Sequence, residues 1–302
     1  MSWLHIFNGS SSMRVSQICI ILAFLFVLIA NSFSQSTMNQ EYNLPLLYND
    51  DGDGFVIIAH RGASAYYPEN TMAAFRGAVE MNAEMIELDV LLSKDGIPVV
   101  FHDATLEAHT NGSGDVSDYT LEELKQLDAG SWFDGRFSDQ QIPTLEEVLQ
   151  FASNKIALNI EIKTEAVTDQ LKGGVEEKSL KLVRKYDMEE HVLFSSFDYR
   201  AVSHFKELGN DISVALLYNN RWPNHRLPHE LVNEYRADAF NCSYRQLTKK
   251  RLASLRTHDI PSFIYTVDRK SRMRKLIAAG VNGIFTNKPD LLRDVVEDYH
   301  RQ

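Results

Sequence analysis

Cysteine is scarce in this sequence, with only Cys19 and Cys242 in 302 residues. Cys19 lies in an N-terminal apolar segment whose removal leaves Cys242 alone. No internal disulfide then staples the mature chain, and a packed core must hold it. Cys242 sits in the apolar stretch Ala239-Phe240-Asn241-Cys242 and reads as a small buried hydrophobe rather than a nucleophile. Positive charge is also short. Lys and Arg number 31 against 41 Asp and Glu, a net charge of -10. That argues against a nucleic-acid partner, because neutralising phosphates takes clustered cations. An acidic protein that handles a phosphate compound must supply local positive charge or a metal ion. A self-similar repeat is lacking too, which disfavours a solenoid.

The N-terminal apolar run, 18–30 (ICIILAFLFVLIA), has 13 positions, short of the roughly 20 that a membrane-spanning helix needs. Arg14 precedes it and Asn31-Ser32-Phe33-Ser34 follow it. Charged start, apolar middle and small-residue exit read as a secretory signal peptide over 1–34, with an uncleaved membrane anchor as the competing reading. Met13-Arg14 makes a tidier start than Met1. Cleavage near Ser34 removes one positive charge, Arg14, and no acid, taking the net charge from -10 to -11. Either reading places the remainder outside the cytoplasm, as an exported (periplasmic or secreted) or membrane-anchored protein, and the second implies membrane association. Residues 35–54 are polar and acidic and read as a linker. Within them Asn49-Asp50-Asp51-Gly52-Asp53-Gly54 imitates a calcium loop, but the twelfth position, which requires Glu, is His60.

From residue 55 to about 300, short apolar runs alternate with helix-period segments. Strands are expected at 55–59, 85–91, 97–101, 156–161, 191–195, 212–216, 238–241, 261–266 and 283–285. Helices are expected at 71–82, 144–153, 169–187, 198–208, 247–257, 269–279 and 289–299. Strands alternating with helices point to a parallel sheet with crossover helices. About eight βα units in one domain favour an α/β fold of the closed (β/α)8 TIM-barrel type. Residues 103–142 break the rhythm with several glycines and a single short helix at 120–127 (TLEELKQL), opened by a Thr120/Glu123 capping box. This stretch reads as a small insertion on the barrel rim, after the second strand, placed to cover an active site.

Barrel active sites sit at the C-terminal ends of the strands. His60 follows the first apolar run directly. Glu87 and Asp89 lie two apart in the second strand, hence on one face, and that face is the interior if Ile86, Leu88 and Val90 meet the helices. His102 and Asp103 close the run Pro98-Val99-Val100-Phe101, and Glu161 ends 156–160 with Lys163 two residues on. Ionisable groups are costly in such places unless they pair or bind a metal. Glu87, Asp89 and Glu161 make a hard oxygen set suited to Mg²⁺ or Ca²⁺. His60 and His102 suit a general acid and a general base, and Arg61 and Lys163 suit phosphate oxygens. Together they describe phosphoryl-transfer chemistry. Glu69 reads equally as a helix opener and as a support for the site, with Asn70 as the helix N-cap. Phe197 reads as pocket or core. His109, His191, His204, His225, His229 and His258 share no pattern and read as surface or capping residues.

His60-Arg61-Gly62, Pro68-Glu69-Asn70-Thr71, Glu87-Leu88-Asp89, His102-Asp103, Asp128-Ala129-Gly130-Ser131-Trp132-Phe133, 142–147 (IPTLEE), Glu161-Ile162-Lys163 and 280–286 (GVNGIFT) occur in this order. The set resembles the glycerophosphodiester phosphodiesterase family over essentially 55–295. The resemblance implies a (β/α)8 barrel, an acid–base pair in His60 and His102, and a divalent ion, Mg²⁺ or Ca²⁺, held by Glu87, Asp89 and Glu161. It implies a small-molecule glycerophosphodiester substrate. The glycerol 2-hydroxyl would attack phosphorus, and water would open the cyclic phosphate to give sn-glycerol 3-phosphate and an alcohol. A lysophospholipase D or sphingomyelinase D-like action on lipid headgroups is the alternative. Two positions depart from the family's habit. Ala108 followed by His109 stands where Arg is common, and Tyr265 stands where Trp is common; both bear on the leaving group.

Overall fold

The computed structural model describes residues 54–209, 211–218 and 226–301. The signal-peptide, anchor and linker readings fall on residues 1–53, outside the described residues. Among the described residues no helix is long and apolar enough to cross a membrane.

Among the described residues nine strands form one sheet: β1 (Val56–His60), β2 (Met85–Leu92), β3 (Pro98–Val100), β4 (Ala157–Ile162), β5 (Val192–Ser196), β6 (Ser213–Leu217), β7 (Ala239–Ser243), β8 (Ser262–Tyr265) and β9 (Gly283–Thr286). Eight are parallel neighbours in the order β1-β9-β8-β7-β6-β5-β4-β2, and β1 pairs with β2 to close the ring. The expected (β/α)8 barrel is therefore the observed one. The helices are α1 (Met72–Glu80), the short α2 (Leu121–Leu124), α3 (Leu145–Ala152), α4 (Val175–Lys185), α5 (Tyr199–Leu208), α6 (Pro228–Tyr235), α7 (Lys249–Thr257), α8 (Lys270–Ala278) and α9 (Pro289–His300).

Period-two alternation sorts each strand between two cores. Ile57, Ile86, Leu88, Val90, Ile160 and Phe194 face outward and are buried with the helices. Val56, Ile58, Met85, Ala157, Leu193, Ala215, Ala239, Phe263 and Phe285 form a separate cluster inside the ring. Following the interior columns toward the strand C-termini, apolar residues give way to polar ones. Ile58 is followed by His60, Met85 by Glu87 and Asp89, Ala157 by Asn159 and Glu161, and Leu193 by Ser195. A dry plug thus floors a polar mouth. Cys242 faces the outer core, fully buried, and burial pushes its thiol up to about 12, as expected of an inert structural residue.

Three details differ from the sequence pattern. The run 97–101 is no barrel strand: β3 lies antiparallel to β2, with Val90 opposite Val100 and Leu92 opposite Pro98. Periodicity carries no direction, so a hairpin strand and a barrel strand read alike. Helix α4 begins at Val175, not 169, because Gly173 takes a left-handed φ of 78° and Gly174 is the cap. Helix α6 was not expected; Pro228 stands in its first turn, where proline is well placed. The insertion keeps its capping box, Thr120 with Glu123.

Candidate active site

The rim opens with a strained turn. Arg61 has a φ of 55° and Gly62 a φ of 82°. A side chain at Gly62 would lie 2.6 Å from the Ala74 carbonyl carbon, so only glycine lets the turn pack on α1. The turn aims the Arg61 amide at Glu87, whose Oε2 accepts it at 2.8 Å. The helix cap is Thr71, whose hydroxyl accepts from the Ala74 amide. Asn70, expected as that cap, instead donates from Nδ2 to Asp89 Oδ2 at 2.9 Å. Thr71 leaves Asn70 free to turn inward, and φ of 55° at Asn70 makes the inward turn possible.

Glu87, Asp89 and Glu161 each offer one oxygen, all within 4.8 Å of one another. Lys163 Nζ donates to Glu161 Oε1 at 3.0 Å and Asp89 Oδ1 at 3.3 Å. Arg61 Nη1 donates to Glu69 Oε1 at 2.7 Å. The Arg61 Nε lies 3.4 Å from Asp89 Oδ2 and is buried without a hydrogen bond.

Charge is not balanced in this pocket. Burial opposes ionisation of Asp89, but Lys163 and then Arg61 outweigh it and bring Asp89 down to about 2. Burial, then repulsion from Asp89 and Glu161, holds Glu87 well above the ordinary carboxylate range. Burial and Asp89 likewise push Glu161 up to about 7. Burial and mutual repulsion thus hold two of the three converging acids above the ordinary carboxylate range, even with Lys163 and Arg61 alongside. A hard divalent cation fits that oxygen set.

The two histidines take opposite partners. His60 Nδ1 is 2.8 Å from Asn287 Oδ1. Asn287 Nδ2 donates to Asp268 Oδ2 at 2.9 Å and its backbone amide to Asp268 Oδ1 at 2.8 Å, which fixes the amide with its oxygen toward His60. His60 must then carry its proton on Nδ1 and present a bare Nε2, 4.0 Å from Glu87 Oε2. Burial and the Arg61 charge push this imidazole down from 6.5 to about 4. His102 Nδ1 pairs with Asp103 Oδ1 at 2.7 Å, and Asp103 Oδ2 meets His109 Nδ1 at 2.8 Å. The antiparallel course of β3 brings His102 here: it runs back to the rim, where the Phe101 amide bonds the Asp89 carbonyl at 3.0 Å.

The structure thus gathers His60, His102, Glu87, Asp89, Glu161, Arg61, Lys163 and Glu69 at one mouth, the C-terminal end of the barrel. Tyr265 ends β8, edge-on to Phe197 at 6.1 Å, with its hydroxyl on the Tyr218 carbonyl at 3.3 Å. Sequence reasoning missed Asn287 and Asp268. The signal for Asn287 was its position, directly after β9, where the strand-end rule applies as it does to His60.

The sequence profile described as the glycerophosphoryl diester phosphodiesterase family matches residues 60–291, which spans every residue of this mouth. The chain belongs to that family. Among the glycerophosphodiester phosphodiesterases it is similar to, the Caldanaerobacter subterraneus subsp. tengcongensis enzyme is 40% identical over 242 residues, covering 80% of this chain and 97% of the relative. The Bacillus subtilis glycerophosphodiester phosphodiesterase is 33% identical over 264 residues, covering 82% and 88%. Among solved structures, an Oleispira antarctica phosphodiesterase in complex with the product sn-glycerol 3-phosphate superposes with a TM-score of 0.72 at 28% identity, covering 80% of this chain and 96% of that one. This chain is an enzyme of the glycerophosphodiester phosphodiesterase family, and His102 with the insertion that follows it lies within the matched span.

Proposed function

We propose that this chain hydrolyses glycerophosphodiesters to sn-glycerol 3-phosphate and an alcohol, with His60 as general base, His102 as general acid and a Mg²⁺ or Ca²⁺ ion on Glu87, Asp89 and Glu161. The observation that carries the reading is the convergence of two buried carboxylates and one half-buried one, two cations and two differently partnered imidazoles on one mouth. His60, held neutral with a bare Nε2, is suited to take the proton of the glycerol 2-hydroxyl as it attacks phosphorus. A carboxylate behind an imidazole stabilises positive charge during proton transfer, as an amide does not. His102 therefore delivers a proton to the leaving alcohol, and the roles reverse when water opens the cyclic phosphate. Arg61 and Lys163 hold phosphate oxygens. The ion, when bound, supplies Lewis-acid stabilisation of the charge that develops on those oxygens.

The test is release of sn-glycerol 3-phosphate from glycerophosphocholine and glycerophosphoethanolamine by chelated protein given Mg²⁺ or Ca²⁺. Turnover with at least one ion is expected; none with either sinks the reading. Turnover of lysophospholipid but not of the deacylated diesters would instead favour the lipid-headgroup alternative. Export rests on the charged, apolar and small-residue order of residues 14–34, and N-terminal sequencing of the mature protein tests it.

The carboxylates also set a pH dependence. Glu161 near 7 in the fold, against an ordinary 4.5, means the metal-free folded state binds more protons than the unfolded chain between these values. That contribution to stability is present below about 4.5 and is lost as pH rises through about 7. His60 runs the other way: depressed to about 4, it adds stability that is complete above 6.5 and lost as pH falls toward 4. The two trends offset in metal-free protein, so absolute melting temperatures are a poor readout. Metal binding must displace the carboxyl protons. The melting-temperature gain on adding metal should therefore grow from pH 5 to about 7.5 and then level, measured against chelated samples in the same buffer. A gain independent of pH would contradict the assignment of Glu161 as a ligand.

A further inference from the structure

His109 belongs to no motif named above, yet it stands where two parts of the site meet. Its Nδ1 is 2.8 Å from Asp103 Oδ2, while Asp103 Oδ1 holds His102 Nδ1 at 2.7 Å. Its Nε2 faces Glu69 Oε1 at 3.8 Å, the oxygen that binds Arg61. The loop builds this approach deliberately. Leu106, fully buried, accepts the amides of His109 and Thr110, which folds residue 109 back over Asp103. The ring is then wedged edge-on between Trp132 at 4.4 Å and Phe101 at 6.3 Å. Trp132 is itself fixed by its Nε1 on the Ala129 carbonyl at 2.9 Å.

We propose that His109 is a positioning residue for the acid–base dyad: by taking the second oxygen of Asp103 it fixes the carboxylate plane, and so the tautomer and direction of the His102 ring. The inference rests on the proposed role of His102. Asp103 is 31% exposed, so without a second partner its carboxylate is free to rotate and to trade His102 for water. Two imidazole donors on two oxygens remove that freedom. Burial works against the Asp103 charge, but His102 and His109 outweigh it and hold the carboxyl below its ordinary range. Ala108 next door offers no polar group to share the task.

The substitutions separate hydrogen bonding from packing. His109→Phe keeps an aromatic ring against Trp132 and Phe101 and loses the bond to Asp103. His109→Asn places an amide near Nδ1 and keeps that bond. Expected is a fall in kcat of about 10- to 100-fold in His109→Phe and His109→Ala, the range for partners that orient a working side chain. KM should change less than about twofold, and His109→Asn should recover most of the loss. In an Asp103→Ala background, His109→Ala should cost nothing further, because the two act as a unit. Wild-type kcat in His109→Phe, or independent multiplication of the Asp103 and His109 effects, overturns the proposal. Imidazole ¹⁵N spectra give a readout that needs no turnover. His102 should be the Nδ1–H tautomer in the wild type and His109→Asn, and mixed or exchange-broadened in His109→Phe. If the wild type releases no sn-glycerol 3-phosphate, the functional reading falls, while these spectra still decide the role of His109: an unchanged His102 tautomer in His109→Phe refutes it.

Discussion

Alanine at His60 or at His102 is expected to lower kcat by about 10²- to 10⁴-fold with KM little changed, the loss associated with a general acid or base removed from the transition state. The two variants should differ in how they respond to pH. His60 holds its proton on Nδ1 against Asn287 and keeps Nε2 bare, so it serves as a base only while neutral. Activity must then fall on the acid side as His60 protonates, and His60→Ala should flatten that limb. The profile has to be taken at saturating metal, because protonation of Glu161 near 7 would otherwise draw its own acid limb by expelling the ion. His102→Ala should instead be rescued by substrates with good leaving groups, since an aryloxide such as p-nitrophenolate departs with little need of a proton. The double variant should be scarcely worse than the poorer single one, as the members of one proton relay are not additive. A loss below about fivefold in either single variant, with the fold intact by circular dichroism, would remove that residue from the relay.

His60 was legible because it follows an apolar run that is a barrel strand, and strand ends are where a barrel places its chemistry; His102 also follows an apolar run, but one that lies antiparallel to β2. Glu87 and Asp89 were legible for a still simpler reason: they alternate with Ile86, Leu88 and Val90, which pack outward. What stayed hidden depends on contacts between distant or irregular segments. Asn287 meets His60 across 227 positions of sequence; its place directly after β9 marks it as a strand-end residue, but no spacing pairs it with His60. Asn70 looked like a helix cap because Asn and Thr share that chemistry; only the fold shows that Thr71 takes the cap and Asn70 turns to Asp89. His109 lies on a loop without period, so neither of the regular spacings could pair it with Asp103 six residues away. The direction of β3 was hidden as well, and it shapes the mouth, since a strand running the other way would carry His102 away from Glu87, Asp89 and Glu161.

Glu87 and Asp89 should respond to neutralisation with opposite signs in stability, although both variants should lose turnover. Glu87→Gln replaces an acid that, without metal, burial and its acidic neighbours push toward the neutral form. The amide is nearly isosteric with that neutral acid, and its oxygen can still accept the Arg61 amide that Glu87 accepts at 2.8 Å. Metal-free Glu87→Gln should therefore melt at or slightly above the wild type. Asp89→Asn removes the carboxylate that stays charged, the one serving Lys163, Arg61 and Asn70 together. Leaving buried charges unpaired typically costs about 3–5 kcal/mol. Here the cost should be nearer 2–3 kcal/mol, because Glu161, 3.0 Å from Lys163, can ionise in its place. In a barrel of this size that lowers the melting temperature by roughly 5–10 °C. Turnover in both variants should fall by about 10³-fold, the share of several kcal/mol that a Lewis acid contributes to a phosphoryl transition state, and the melting-temperature gain on adding metal should largely vanish. Thermal melts with and without chelator, set beside kcat at saturating Mg²⁺ and Ca²⁺, separate the two effects. Equal destabilisation of both metal-free variants would mean that Glu87 is charged in the fold. The uneven sharing of charge among the three acids, and with it the case that the pocket is built around a missing positive charge, would then be wrong.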